Sequence, residues 1–115
     1  MNDNKMNDNK IDNICMTVEQ SRRINTHQEI CDYIHQLYIK KNNDYGGSVT
    51  DTYKKFGIVS FLVRMEDKLN RVHTLTSGVN SKVSDEKIED TLFDLANYAM
   101  LAILELKEEQ YKNEH

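Results

Sequence analysis

The 115-residue sequence contains no proline and no tryptophan, and only four glycines interrupt it. Proline and glycine most often end or bend helices, so their scarcity favours long helices over a sheet with many turns. The length suits one domain with a small core that partner subunits would help to bury. We therefore predict an all-α fold, a bundle of three to four helices per chain that is completed by oligomerisation.

The sequence also lacks the features of several functional classes. Two cysteines are too few for a disulfide scaffold, and charges interrupt every long apolar stretch, so neither a secretion signal nor a membrane span is expected. The net charge of −4 argues against binding to a DNA or RNA backbone. No zinc-site spacing, Ser–His–Asp arrangement or phosphate-loop fingerprint is present. We expect a cytoplasmic protein without a membrane partner. Small anionic ligands are compatible with the sequence.

The N-terminus consists of two copies of the pentapeptide MNDNK, at residues 1–5 and 6–10. Such polar sequence cannot bury apolar surface, so we predict a disordered tail over residues 1–16. Residues 17–109 are predicted to form the helical domain, and residues 110–115 to fray.

Capping signals and apolar periodicity predict three main helices. Thr17 and Thr26 each begin a capping box. We favour Thr26 as the start of the first main helix, with room for a shorter turn before it, and this helix should end within residues 40–43. A second helix is predicted over residues 56–74, and a third from the N-cap Ser84 to about Glu109.

Residues 44–48, which include the glycine pair Gly46–Gly47, form the one strong turn signal. They fit a helix–helix connection and a ligand-contacting loop equally well. A short helical turn over residues 51–55, capped by Ser48 or Thr50, should follow.

The third helix combines apolar sequence with acidic side chains. From Leu92 to Leu106 it is apolar on nearly every side, more than a lone three-helix bundle would cover, which predicts a dimer or tetramer. Asp90, Asp94 and Asn97 fall within about 60° of one another on one face. Carboxylates beside so much apolar surface need a cation, a base or a water-filled cleft, because desolvating them costs several kcal/mol.

Two interpretations of this acidic face stay open. Carboxylates at i and i+4 can share Mg²⁺, and they can equally pair with basic residues of the second helix; a catalytic base is a third use. Arg64, Asp67, Lys68 and Arg71 on the second helix could be an ordinary exposed ion-pair ladder. Beside the acidic face they could instead hold phosphate groups.

Four segments occur in the order seen in one phage and bacterial family: residues 41–48, 56–57, 64–71 and 90–98. Over roughly residues 27–106 the chain resembles the nucleotide-modification-associated domain family, which is related to the MazG-like all-α nucleoside triphosphate pyrophosphatases. The resemblance implies a helical, oligomeric, nucleotide-handling protein of a kind often encoded by phages.

The chain departs from the MazG-like pattern at the metal site. Those enzymes typically place four carboxylates around Mg²⁺, as Glu-x-x-Glu on one helix and Glu-x-x-Asp on the next. Here the first helix has arginine at Arg64, followed by Asp67, and the second has Asp90 and Asp94. The three aspartates are therefore the residues that the resemblance assigns to the metal.

Our first hypothesis is a Mg²⁺-dependent nucleoside triphosphate pyrophosphatase in which Asp67 and Asp94 act in catalysis. A second hypothesis is a sponge that sequesters a nucleotide-derived molecule, such as a cyclic nucleotide immune signal, in an anti-defence role within the host cytoplasm. A third is a structural helical adaptor. The predicted ligand- and phosphate-binding residues are Lys41, Asp44, Tyr45, Gly46, Arg64, Lys68, Arg71, Asn97 and Tyr98.

Overall fold

The computed structural model describes residues 16–45, 47–77 and 81–114, with all side chains in these ranges except those of residues 42–45 and 81–84. The described residues form four α-helices and no strand. This confirms the predicted all-α helical bundle. The helices are α1 (Val18–Tyr45), α2 (Ser48–Phe56), α3 (Val59–Thr76) and α4 (Ser81–Glu114).

The chain divides by its internal contacts into two units, residues 1–33 and 34–115. In the first unit, a capping box sets the start of α1. The Thr17 backbone N–H donates to Gln20 Oε1 at 2.8 Å, and the Gln20 N–H donates to Thr17 Oγ1 at 3.0 Å. Both N-terminal donors are satisfied, so the helix begins at Val18.

The prediction that the main helix starts at Thr26 is wrong. Thr26 lies inside α1, where its hydroxyl donates to the Arg22 carbonyl at 2.9 Å. A threonine within a helix commonly makes this bond to the carbonyl four residues earlier. Since no proline or glycine lies between the two capping boxes, the first box starts one continuous helix.

In the second unit, α1 ends at Tyr45, beyond the predicted end within residues 40–43. The predicted short turn over 51–55 is the full helix α2, whose N-cap is Gly47 with no side-chain cap hydrogen bond. Neither Ser48 nor Thr50 caps it, because both lie within the helix.

Gly57 separates α2 from α3. Its φ of +72° lies in the left-handed region that favours glycine, and its N–H donates to the Tyr53 carbonyl at 2.7 Å. The predicted helix over 56–74 therefore begins later, at Val59. The predicted N-cap Ser84 is likewise wrong, because α4 already begins at Ser81. The helix ends at Glu114, beyond the predicted end near Glu109.

The core of the second unit is small. Tyr53 from α2, Phe61 from α3 and Ala102 from α4 form its buried cluster, and Ile34 of α1 is buried outside this cluster. The rings of Tyr53 and Phe61 lie 5.8 Å apart between centroids. The apolar side chains of α3 are only partly buried, since Leu62 and Leu69 are about half exposed.

Helix α4 keeps apolar side chains at its surface. Leu92, Met100 and Ile103 are 47%, 48% and 53% exposed. They are the surface that the predicted partner subunit would cover, and oligomerisation stays a prediction. No helix among the described residues combines the length and the apolar character needed to cross a membrane.

Candidate functional site

The second unit contains a cavity of about 350 Å³ between its helices. We call this cavity the pocket. Residues from α1, α2, α3 and α4 line it, and they are both polar and apolar. The lining residues are Tyr38, Lys41, Ser48, Val49, Thr50, Arg64, Asp94, Asn97, Tyr98, Leu101, Leu104 and Glu105.

Helix α4 forms one wall of the pocket along a single face. Asp94, Tyr98, Leu101 and Glu105 line the pocket and follow one another at i, i+4, i+7 and i+11. At roughly 100° per residue, these positions stay within about 60° of one another. From Asp94 to Glu105 the helix rises about 16 Å at 1.5 Å per residue. The wall thus has an Asp94 end and a Glu105 end.

Two lysines neutralise the Asp94 end. Lys68 Nζ lies 3.2 Å from Asp94 Oδ2, and Lys41 Nζ lies 3.9 Å from Asp94 Oδ1. About a third of each of these three side chains remains exposed. Of the interpretations left open for this face, pairing with basic residues is thus present at Asp94.

Arg64 and Tyr98 meet between the two ends. The Arg64 Nη1 donates to the Tyr98 hydroxyl at 3.5 Å, and the guanidinium carbon lies 5.8 Å from the ring centroid. The ring attracts the cation at this distance and helps to hold it. Arg64 is otherwise exposed, so most of its donors stay available to a ligand in the pocket.

Glu105 itself is buried, and neither of the two ion pairs between described residues involves it. Glu105 is only 8% exposed, and its Oε2 accepts a hydrogen bond from the Thr50 hydroxyl at 2.6 Å. One turn further along α4, Tyr53 donates from its hydroxyl to Glu109 Oε1 at 2.7 Å. That hydrogen bond raises the pKa of Tyr53 above its ordinary value, and burial and the charges of Glu109 and Glu105 add to the shift.

The pocket brings together five of the predicted site residues and a sixth at its edge. Lys68 joins through its ion pair with Asp94. Asn97 lines the pocket and is buried, at 7% exposure. The five that line the pocket are Lys41, Arg64, Asp94, Asn97 and Tyr98.

The remaining predicted site residues fall into two groups. Asp67, Arg71 and Asp90 are exposed and do not line the pocket. Gly46 and the side chains of Asp44 and Tyr45 lie outside the described part of the chain.

The three aspartates predicted to bind metal do not gather around one point. Only Asp94 lines the pocket, and its oxygens face two lysines. Across residues 16–45, 47–77 and 81–114, no three or more His, Cys, Asp or Glu side chains come close enough to hold a metal ion. Mg²⁺ in proteins usually binds through one or two carboxylates and completes its octahedron with waters and substrate phosphates, and the predicted Mg²⁺ site remains a prediction.

Sequence reasoning missed Thr50 and Glu105 as pocket residues. The sequence predicts Ser48 or Thr50 as the cap of the turn over 51–55, whereas the Thr50 hydroxyl donates to Glu105 Oε2. A usable signal was present: Glu105 follows Asp94 by eleven residues, three turns of helix, and so shares its face. Thr50 offered no comparable signal, because its contact crosses between helices.

The fold and the pocket together define a class of protein, an all-α helical domain with a charged cavity between its helices. Residues 41–106, more than half of the chain, match the family described as Nucleotide modification associated domain 1. The chain therefore belongs to this family. The matched range includes Lys41, Arg64, Asp94 and Glu105. No curated protein and no solved structure matches the chain.

Proposed function

We propose that the second unit binds a nucleotide, or a nucleotide-derived phosphorylated molecule, in the pocket. One observation carries this proposal: Lys41, Arg64 and Tyr98 line a single cavity in a chain whose family is associated with nucleotide modification. A cavity of about 350 Å³ lies within the range of small-molecule sites, roughly 300–1,000 Å³.

Arg64 supplies the geometry that phosphate recognition needs. Its planar guanidinium presents donors in a fork that matches two phosphate oxygens, and such charge-assisted bonds are stronger than neutral ones. Contact with Tyr98 holds the guanidinium beside the pocket, so less side-chain freedom is lost when a ligand binds.

Lys41 and Lys68 are a second source of positive charge. In the free protein both face Asp94 across partly exposed ion pairs, which contribute about 1 kcal/mol or less each. A phosphate at this end can therefore draw either lysine away from Asp94 at small cost. The lysines thus stay paired without a ligand and become available when one arrives.

Binding has more support in this geometry than hydrolysis. Metal-dependent hydrolysis requires a metal to polarise the phosphoryl group and activate water, and only Asp94 of the predicted metal ligands lines the pocket. We accordingly place sequestration of the ligand ahead of pyrophosphatase activity. The relation to MazG-like enzymes, the phage origin and the Mg²⁺ dependence stay predictions.

Equilibrium dialysis against a panel of nucleoside mono-, di- and triphosphates and cyclic nucleotides, with Mg²⁺ and with EDTA, tests the proposal. We expect at least one nucleotide to be retained equally in both buffers and to be recovered intact by chromatography. Metal-dependent conversion of a triphosphate to a monophosphate would instead establish the enzyme.

Arg64→Ala and Arg71→Ala are a matched pair of variants for this assay. Both remove an arginine from α3, but only Arg64 lines the pocket. We expect retention to fall roughly tenfold or more in Arg64→Ala, as for loss of a hydrogen bond to a charged group, and to persist in Arg71→Ala. An equal loss of nucleotide retention in both variants would show that retention depends on net charge and not on the position of Arg64.

A further inference from the structure

Glu105 is a buried carboxylate that lines the pocket and that phosphate binding does not explain. The negative charge of Glu105 would repel an anionic ligand group there. Both ion pairs among the described residues involve Asp94, about 16 Å away along α4, so neither of their lysines offsets this charge. The Thr50 hydroxyl contacts only Oε2 of the carboxylate. A buried carboxylate needs hydrogen-bond donors around it.

A carboxylate accepts hydrogen bonds at both of its oxygens. Among the described residues, no buried side-chain nitrogen or oxygen lacks a hydrogen-bond partner, so the second Glu105 oxygen is not sealed from solvent. Thr50 satisfies one acceptor position and fixes the orientation of the group, while Glu105 itself faces the cavity. The Glu105 end therefore favours a ligand group that carries N–H or O–H donors. Two adjacent donors suit a carboxylate best, since they can engage both oxygens.

The Arg64 and Asp94 region favours the opposite chemistry. Its cations attract phosphate, so a nucleotide in the pocket would place its phosphates there and its donor-bearing portion toward Glu105. The length of the α4 wall, about 16 Å, is sufficient for such an extended ligand.

We propose that Glu105, oriented by Thr50, is the specificity-determining residue of the pocket and accepts hydrogen bonds from two adjacent donors of the bound nucleotide. Two nucleotide groups have this chemistry: the N1–H and 2-amino edge of guanine, and the vicinal 2′ and 3′ hydroxyls of ribose. The inference rests on the proposed function, because it assumes that the pocket binds a nucleotide.

The test measures the affinity of the wild-type chain for four ligands by isothermal titration calorimetry in EDTA. The ligands are GTP, inosine triphosphate, which lacks the 2-amino group, and the 2′-deoxy and 3′-deoxy forms of GTP. We expect GTP to bind roughly tenfold or more tightly than at least one of the others, as sites built to bond a donor reject analogues that lack it. Weaker binding of inosine triphosphate would identify the guanine edge as the group that Glu105 bonds. Weaker binding of a deoxy form of GTP would identify the ribose hydroxyls.

Variants then assign the discrimination to Glu105. Glu105→Gln keeps the shape but replaces one acceptor with a donor, and we expect it to bring the ligand affinities to within about twofold of one another. Thr50→Val leaves Glu105 in place but removes its orienting hydroxyl, and we expect a smaller, several-fold loss of discrimination. Thr50→Val also keeps the test decisive if Glu105→Gln does not fold.

Tyr53→Phe is the matched control. It removes a hydrogen bond from α2 to a glutamate of α4, as Thr50→Val does, but neither Tyr53 nor Glu109 lines the pocket. The control should keep the wild-type ligand preference. Discrimination that persists in Glu105→Gln, or that is equally lost in Tyr53→Phe, would overturn the inference and leave the proposed function standing. A wild-type chain that binds no nucleotide would overturn both.

Discussion

The two ends of the pocket each present a carboxylate from the same face of α4, yet their surroundings differ. Asp94 is about one-third exposed and faces two lysine ammonium groups. Glu105 is 8% exposed and faces a neutral threonine hydroxyl. One carboxylate is thus neutralised by two cations in contact with water, and the other accepts a hydrogen bond from a neutral hydroxyl at a mostly buried position of the pocket.

The difference arises from the helices that pack opposite α4. Helices α1 and α3 supply Lys41 and Lys68 at the Asp94 end, whereas α2 supplies Thr50 at the Glu105 end. A pair of acidic residues on one helix face therefore does not define one type of site. The partner helix decides whether the carboxylate balances cations or offers acceptors.

The largest effect should follow from placing a lysine at the buried end. Glu105→Lys removes the acceptor for Thr50 and places a cation where little of the side chain reaches water. We expect the free energy of unfolding to fall by about 3 kcal/mol. Urea denaturation followed by circular dichroism measures this, and a loss below about 1 kcal/mol would show that the Glu105 end is more hydrated than its burial indicates.

A smaller loss should follow from Gly57→Ala. A Cβ at Gly57 meets nothing within 4 Å, so its cost comes from the φ of +72°. We expect about 2 kcal/mol of destabilisation, because a φ of +72° with a ψ of −159° is a conformation that is almost exclusive to glycine. Because Gly57 sets the end of α2, amide exchange should increase in α2 around Thr50 more than around Asp94. If amide exchange instead increased equally along the whole chain, the strain at Gly57 would not act specifically on the Glu105 end of the pocket.

The Tyr53 hydroxyl should make stability depend on pH in the alkaline range. Folding raises the pKa of Tyr53 above its ordinary value of about 10, so the neutral form is favoured in the folded state. This contribution is fully present below pH 10 and is lost as pH rises through the folded pKa. Tyr53→Phe should lower the melting temperature at pH 8 and flatten its decline above pH 10. An unchanged alkaline decline would assign that decline to other groups.

The smallest change in stability should follow from Asp94→Asn. Its ion pairs are partly exposed, so we expect the free energy of unfolding to change by about 1 kcal/mol or less. Affinity for a triphosphate should instead rise several-fold at low salt, because Lys41 and Lys68 lose their competing anion. Loss of affinity in Mg²⁺ but not in EDTA would support Asp94 as a metal ligand and contradict our account of this end.

The sequence predicted the helical class and much of the Asp94 region, for physical reasons that act locally. Few helix breakers and clear apolar periodicity identified the bundle, and helical spacing placed Asp94 and Asn97 on one face. Helical spacing also groups Arg64 with the basic residues of its helix as a phosphate contact, and Lys41 and Tyr98, which line the pocket too, lie in segments that resemble the family. All of these are signals within one helix or one motif.

The predictions were wrong where a contact between helices, or the backbone angle of one residue, determines the structure. The positive φ of Gly57 ended α2 within what periodicity treated as one helix. Thr50 fitted a helix cap by residue type, but Glu105, 55 positions away, takes its hydroxyl. Exposed Asp67 and Asp90 show the same limit, since spacing gives the face of a helix but not what lies opposite that face.

The most direct test compares the affinities of one nucleoside with its mono- and triphosphate in EDTA, for the wild-type chain and Arg64→Ala. We predict that affinity rises with each added phosphate in the wild type, that Arg64→Ala removes most of this rise, and that nucleoside affinity changes little. Affinity that is independent of phosphate number, or a rise that Arg64→Ala leaves intact, would contradict the account of the pocket as a nucleotide site.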